Sequence, residues 1–136
     1  RALRLLHAAG VIKLKDSNNT LATKDDIVEN PKNIQIKELP AGQTARALDD
    51  VAASLINNGF AVEAGFQPTK DSIFIEQITD SSQPYYNVIA AKEGNENKEV
   101  YKKIVEYYQS PETAKKIEEV SKGANVPVWE KATLKN

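Results

Sequence analysis

Residues 45–76 read ARALDDVAASLINNGFAVEAGFQPTKDSIFIE, and the order of apolar and turn-forming residues within them decides the fold class. Residues 51–56, Val-Ala-Ala-Ser-Leu-Ile, are an apolar run of strand length, with Asp49-Asp50 before it and Asn57-Asn58-Gly59 after it. A short apolar run between polar punctuation reads as a buried strand. Asn-Asn-Gly is a turn signal, since asparagine and glycine tolerate left-handed backbone. Residues 60–64 have room for one helical turn, and beyond Pro68 comes a second apolar run, Ile73-Phe74-Ile75.

The flanks continue the alternation. Leu3, Leu5, Leu6 and Ala9 form a helical stripe that Gly10 closes as a C-terminal cap. Residues 11–14 read as a strand and residues 15–20 as a polar loop. The run Thr23-Lys-Asp-Asp26 supplies an N-cap and an acidic first turn, predicting a short helix that reaches Glu29. Asn30-Pro31 ends it, because a residue before proline is pushed out of helical conformation. Ile34 and Ile36 alternate with polar neighbours as in a strand, and Pro40 and Gly42 precede a predicted helix over residues 43–48. Downstream, residues 80–84 read as a loop and 88–91 as a strand. Amphipathic helices are predicted near residues 97–109 and 111–121, the second with Ser110 as cap, Pro111 at its first position and Glu112 at its positive end. Val126, Val128 and Trp129 make a last extended piece. Strands alternating with helices, without internal repeat, predict an α/β layered protein.

Composition narrows the chemistry. The chain has 136 residues, one domain's worth, with 40% hydrophobic and 27% charged residues. Lys and Arg total 18 against 19 Asp and Glu, a net charge of −1. That leaves no basic excess to grip a nucleic acid by counterion release. Absence of cysteine removes disulfides, thiolate metal sites and cysteine nucleophiles, and the lone His7 removes any site needing two imidazoles. The adjacent Asp49-Asp50 pair lacks the facing geometry of an acid–base couple and reads as a loop or helix end. Tyr85 and Tyr86 could flank a cleft but read first as core or hinge packing, and Tyr101, Tyr107, Tyr108 and Trp129 as packing along the last helices. No nucleophile–base set stands out, so catalysis and cofactors are not expected. The sequence contains no Met, even at position 1, and opens inside a helical pattern, so it is expected to be part of a longer protein. It carries no leader-like or membrane-length apolar segment of its own.

Five strings carry a resemblance: RALRLLHAAGVIKLKD (1–16), DIVENPKNIQIKEL (26–39), residues 45–76 as quoted, QPYYNVIAAKEGN (83–95) and GANVPVW (123–129). In this order they resemble the second half of the NlpA family of methionine-binding lipoproteins. The resemblance implies a type II periplasmic-binding-protein-like fold, two α/β lobes closing on a ligand, with most of the N-terminal lobe lying outside these residues. Residues 1–75 would then form the second, ligand-binding lobe, residues 76–86 an interlobe crossover or hinge, and residues 87–136 the C-terminal portion of the first lobe. It further implies a substrate-binding protein of an ABC importer, without catalysis, cofactor or metal. Such a receptor captures methionine, a related amino acid or a short methionine peptide in the interlobe cleft and delivers it to a permease and ATPase. The implied location is extracytoplasmic, on the cell membrane through a lipid anchor outside this segment. An alternative from another class is the ligand-sensing domain of a transcription regulator, which shares the two-lobe architecture.

Three residues match the family's ligand-binding pattern. By the resemblance Arg1 corresponds to an arginine that grips the ligand carboxylate, work suited to a planar guanidinium fork; by itself it reads as a solvated arginine at a frayed end. Asn57 follows the strand at 51–56, at the carboxyl end where α/β folds place ligand contacts. Its amide can serve both ends of a zwitterion, although a plain turn asparagine fits there too. Asn87 opens the strand after the crossover and offers a second amide, or alternatively a hinge residue bonding its own backbone. The sequence departs from the family where AGQTARALDD lacks a more usual proline before its arginine and INNGFA replaces a more usual INxxYA. Those departures leave the exact ligand open.

Overall fold

Gly10 stops the first helix. In the computed structural model, which describes residues 1–130, α1 runs over Ala2–Ala8. Gly10 takes a φ of +70°, where a Cβ would be strained. The Val11 N–H donates to Leu6 O and the Gly10 N–H to His7 O, each at 3.0 Å, the paired closure of a Schellman motif. The reversal brings in Ile12 and Leu14, which are only 4% and 3% exposed. His7 Nδ1 accepts the Leu14 N–H at 3.2 Å, so the single imidazole holds the turn between helix and strand.

Strand β1 (Lys13–Leu14) pairs antiparallel with β2 (Ile27–Glu29). Lys13 faces Glu29 and Leu14 faces Ile27, which makes Val28 the extra residue of a bulge and leaves its side chain outside. Lys13 Nζ meets Glu29 Oε1 at 2.6 Å across the pair. The helix expected to reach Glu29 is therefore corrected. A 3-10 turn covers only Lys24–Asp26, with the Thr23 N–H donating to Asp26 Oδ2 at 2.7 Å. The cap forms as its residue types require, but the β-branched Ile27-Val28 pair favours the ladder that β1 offers. Asn30 closes the next turn by donating to Ile34 O and accepting the Ile34 N–H, both at 2.9 Å.

The strands expected at residues 34–36, 51–56 and 88–91 have no ladder partner among the described residues, where β1 and β2 form the one sheet. Alternation of apolar residues records that a segment wants cover; it does not name the backbone that supplies its hydrogen bonds. The helix expected over 43–48 is two 3-10 turns, Ala41–Gln43 and Arg46–Asp50. The loop expected at 80–84 is a 3-10 turn over Asp80–Tyr85, opened by the Thr79 N–H donating to Ser82 Oγ at 3.1 Å.

The remaining helices are α2 (Asn58–Glu63), α3 (Pro68–Asp71), α4 (Glu99–Tyr108) and α5 (Pro111–Val120). α4 and α5 lie where their periodicity puts them, and Ser110 Oγ accepts the Thr113 N–H at 3.2 Å as the cap of α5. The segment after α5 folds back onto α2, where Asn58 Nδ2 donates to Ala124 O at 2.6 Å and Ala61 and Ala124 are buried. Trp129 meets Tyr108 edge to face with ring centres 6.3 Å apart. Cover is thin elsewhere: Ile73 is 94% exposed, and Leu21, Val88, Val100 and Tyr107 are also largely outside. Residues 131–136, the end of the stretch expected to belong to the first lobe, lie outside the described residues. Among the described residues no helix is long and apolar enough to cross a membrane.

Candidate functional site

Arg1 immediately precedes α1, and its carbonyl accepts the Leu5 N–H at 3.1 Å, which fixes its backbone to the helix. Its guanidinium donates through Nε and Nη2 to a single oxygen, Glu76 Oε2, at 2.8 and 2.6 Å. The same group lies over the Tyr85 ring, 4.6 Å from its centre. Arg4, one helical turn on, lies over that ring at 5.4 Å and donates to Tyr85 Oη at 3.1 Å. Arg4 also donates to Ser81 O at 3.2 Å and Ser17 O at 2.8 Å. The cap residue and one residue of α1 thus hold both ends of the segment 76–86, and Tyr85 is shared between them. Tyr85, read from the sequence as flanking a cleft or as core or hinge packing, is half-buried and carries two cations over its ring.

Asn57 is the residue before α2, exposed, with its side chain making no cap bond to the helix. Its neighbour Asn58 is half-buried and committed to Ala124 O. Of the two adjacent amides, the first is therefore available and the second is structural. Asn87 is exposed and follows Tyr86, whose N–H closes the preceding turn on Gln83 O at 3.1 Å. Arg1 lies over Tyr85, two positions before Asn87 in the chain, and no hydrogen bond among the described residues joins Arg1 to Asn87. No hydrogen bond among the described residues joins Asn57 to either. Two shallow depressions lie elsewhere: one beside Asn58, Val62, Ser121 and Ala124, the other beside Ile89, Tyr101 and Val105. Neither is lined by Arg1, Asn57 or Asn87.

Sequence reasoning missed Glu76 and Arg4. No local signal could have found them, because Glu76 lies 75 positions from Arg1 and Arg4 lies 81 from Tyr85.

The signature of the family described as NlpA lipoprotein matches residues 1–129. The chain belongs to the NlpA lipoprotein family. Among its NlpA relatives, the D-methionine-binding lipoprotein MetQ of Escherichia coli K12 is 44% identical over 131 residues, covering 95% of this chain and 47% of that protein. MetQ of Salmonella typhi is 45% identical over the same shares. Among solved structures, a nutrient binding protein from Burkholderia cenocepacia bound to methionine superposes with a TM-score of 0.80 at 46% identity, over 93% of this chain and 52% of that one. The substrate binding protein of a methionine transporter from Streptococcus pneumoniae gives 0.78 at 46%, over 94% and 50%. The chain thus spans about half the length of the relatives it matches, and it has the fold of the corresponding half of these substrate-binding proteins. That agrees with the α/β, two-lobe expectation.

Proposed function

We propose that this NlpA chain is the ligand-gripping half of a substrate-binding lipoprotein that captures methionine, or a close relative of it, for an ABC importer. The observation that carries the proposal is the near-complete match of the chain to half of a protein named for methionine binding and to half of a nutrient binding protein solved with methionine. The local chemistry supports it. Arg1 keeps one edge of its guanidinium unengaged among the described residues, and a carboxylate is the anion that fits such a fork. Asn57 and Asn87 carry exposed amides able to accept from an ammonium and donate to a carboxylate.

In this reading residues 1–75 belong to one lobe, 76–86 cross between lobes and 87–136 join the other. The unladdered segment 88–91 and the apolar face of α4 find their cover in the half of the fold that this chain does not span. Closure of the two lobes buries the ligand and supplies the trapping step. The receptor is anchored by lipid on the outer side of the cell membrane and hands its ligand to the importer's permease and ATPase. Relatives named as binding proteins favour this over the regulator alternative and over catalysis.

Calorimetry on the intact protein tests the reading. Methionine should bind, whereas its amide and its N-acetyl form should bind far more weakly. Equal affinity for the blocked compounds would remove the zwitterion from the account.

A further inference from the structure

We infer that Glu76 is a positioning residue for the ligand carboxylate, acting through Arg1; the inference rests on the proposed methionine-binding role. A guanidinium offers its donors along in-plane edges, and Glu76 Oε2 takes the side edge formed by Nε and Nη2. Tyr85 covers a face of the same group at 4.6 Å. An in-plane partner and a face partner together fix both the tilt and the rotation of the plane. Among the described residues the end edge, Nη1 with the second hydrogen of Nη2, makes no hydrogen bond, and it has the geometry for fork-to-fork binding of a second carboxylate.

Charge points the same way. Arg1 and Arg4 bring two positive charges to Tyr85 and Glu76 returns one negative, so these groups carry one positive charge between them. A single carboxylate neutralises it. The Arg1–Glu76 pair is also poorly suited to a stabilising role, with side chains 48% and 35% exposed. Ion pairs that open to water contribute little to folding. Their usable effect is to set a flexible side chain in advance, which lowers the ordering cost of binding. Glu76 Oε2 lies on the side edge and takes up no Nη1 donor.

The test is a titration of methionine and methioninamide into the intact protein and its Glu76→Ala, Glu76→Gln and Glu76→Asp variants. Alanine should weaken methionine binding by about tenfold or more while moving methioninamide much less, so the preference for the acid shrinks. Glutamine keeps an acceptor for the side edge and should retain most of the affinity. Aspartate withdraws its oxygens by one carbon and should show the same shrinkage to a smaller degree; it decides the matter if the alanine variant does not fold. Unchanged affinity in the alanine and aspartate variants, tighter binding by the alanine variant, or equal loss for both ligands would overturn the inference. Failure of the unaltered protein to bind methionine would instead overturn the functional reading beneath it.

Discussion

Asn57 and Asn58 have the same side chain and opposite commitments. Asn58 spends its amide on Ala124 O, whereas Asn57 is exposed and makes no cap bond. Asn57→Ala and Asn87→Ala in the intact protein should each weaken methionine binding by about 1.5–3 kcal/mol, roughly one to two decades, with the unfolding midpoint unmoved. Asn58→Ala should behave the other way round, lowering stability by roughly 0.5–1.5 kcal/mol and changing affinity much less. Calorimetry paired with urea unfolding separates the cases, and a silent Asn57 beside a ligand-sensitive Asn58 would mean that the turn has been read one residue out of register. At this scale the sequence was informative about residue type and incomplete about partners. An asparagine after an apolar run was visible as a candidate, whereas Arg1, by itself a solvated arginine, became one only through the family resemblance. The Glu76 carboxylate and Tyr85 ring that hold that arginine were not visible, because contacts across 75 and 84 positions leave no mark in local spacing.

Elements whose signals are local appear where the residues put them. Ser110, Pro111 and Glu112 announce α5, and the Ser110 hydroxyl does accept the Thr113 N–H. Ser110→Ala should cost about 1 kcal/mol through loss of that cap, measurable as a lower urea midpoint with an unchanged slope. No loss would mean that the helix start is held by something other than its cap. Gly10 likewise reads as a stop and adopts the left-handed backbone that a stop requires. Elements whose existence depends on a distant partner were legible only as apolar periodicity. Residues 51–56 and 88–91 carry strand-like patterns without a ladder among the described residues. Residues 27–29 reverse the outcome, leaving a predicted helix to pair with Leu14 and Lys13. Helical turns draw their hydrogen bonds from within four residues, while a strand must borrow them.

At the scale of the molecule, the few buried apolar residues, Ile12 and Leu14 at β1 and Ala61 and Ala124 beside α2, contrast with the outward apolar side chains of Ile73, Val88, Val100 and Tyr107. Exposed apolar surface of that kind invites association. The isolated chain is therefore expected to bind methionine poorly and to self-associate, even though it holds Arg1, Asn57 and Asn87. A half cleft leaves the thioether side chain wet on one side, forfeiting about 25 cal/mol for each square ångström left uncovered. Submicromolar binding by a chain that sediments as a monomer would show that the other half of the fold matters little. The central claim, that methionine is held by its carboxylate on Arg1 with Asn57 and Asn87 beside it, is tested most directly by a crystal structure of the intact protein with methionine. The expected result is a carboxylate on the end edge of the Arg1 guanidinium, Glu76 still on the side edge, and both asparagine amides within hydrogen-bond distance of the ligand. Methionine bound with its carboxylate on another cation, and Arg1 facing solvent, would contradict it.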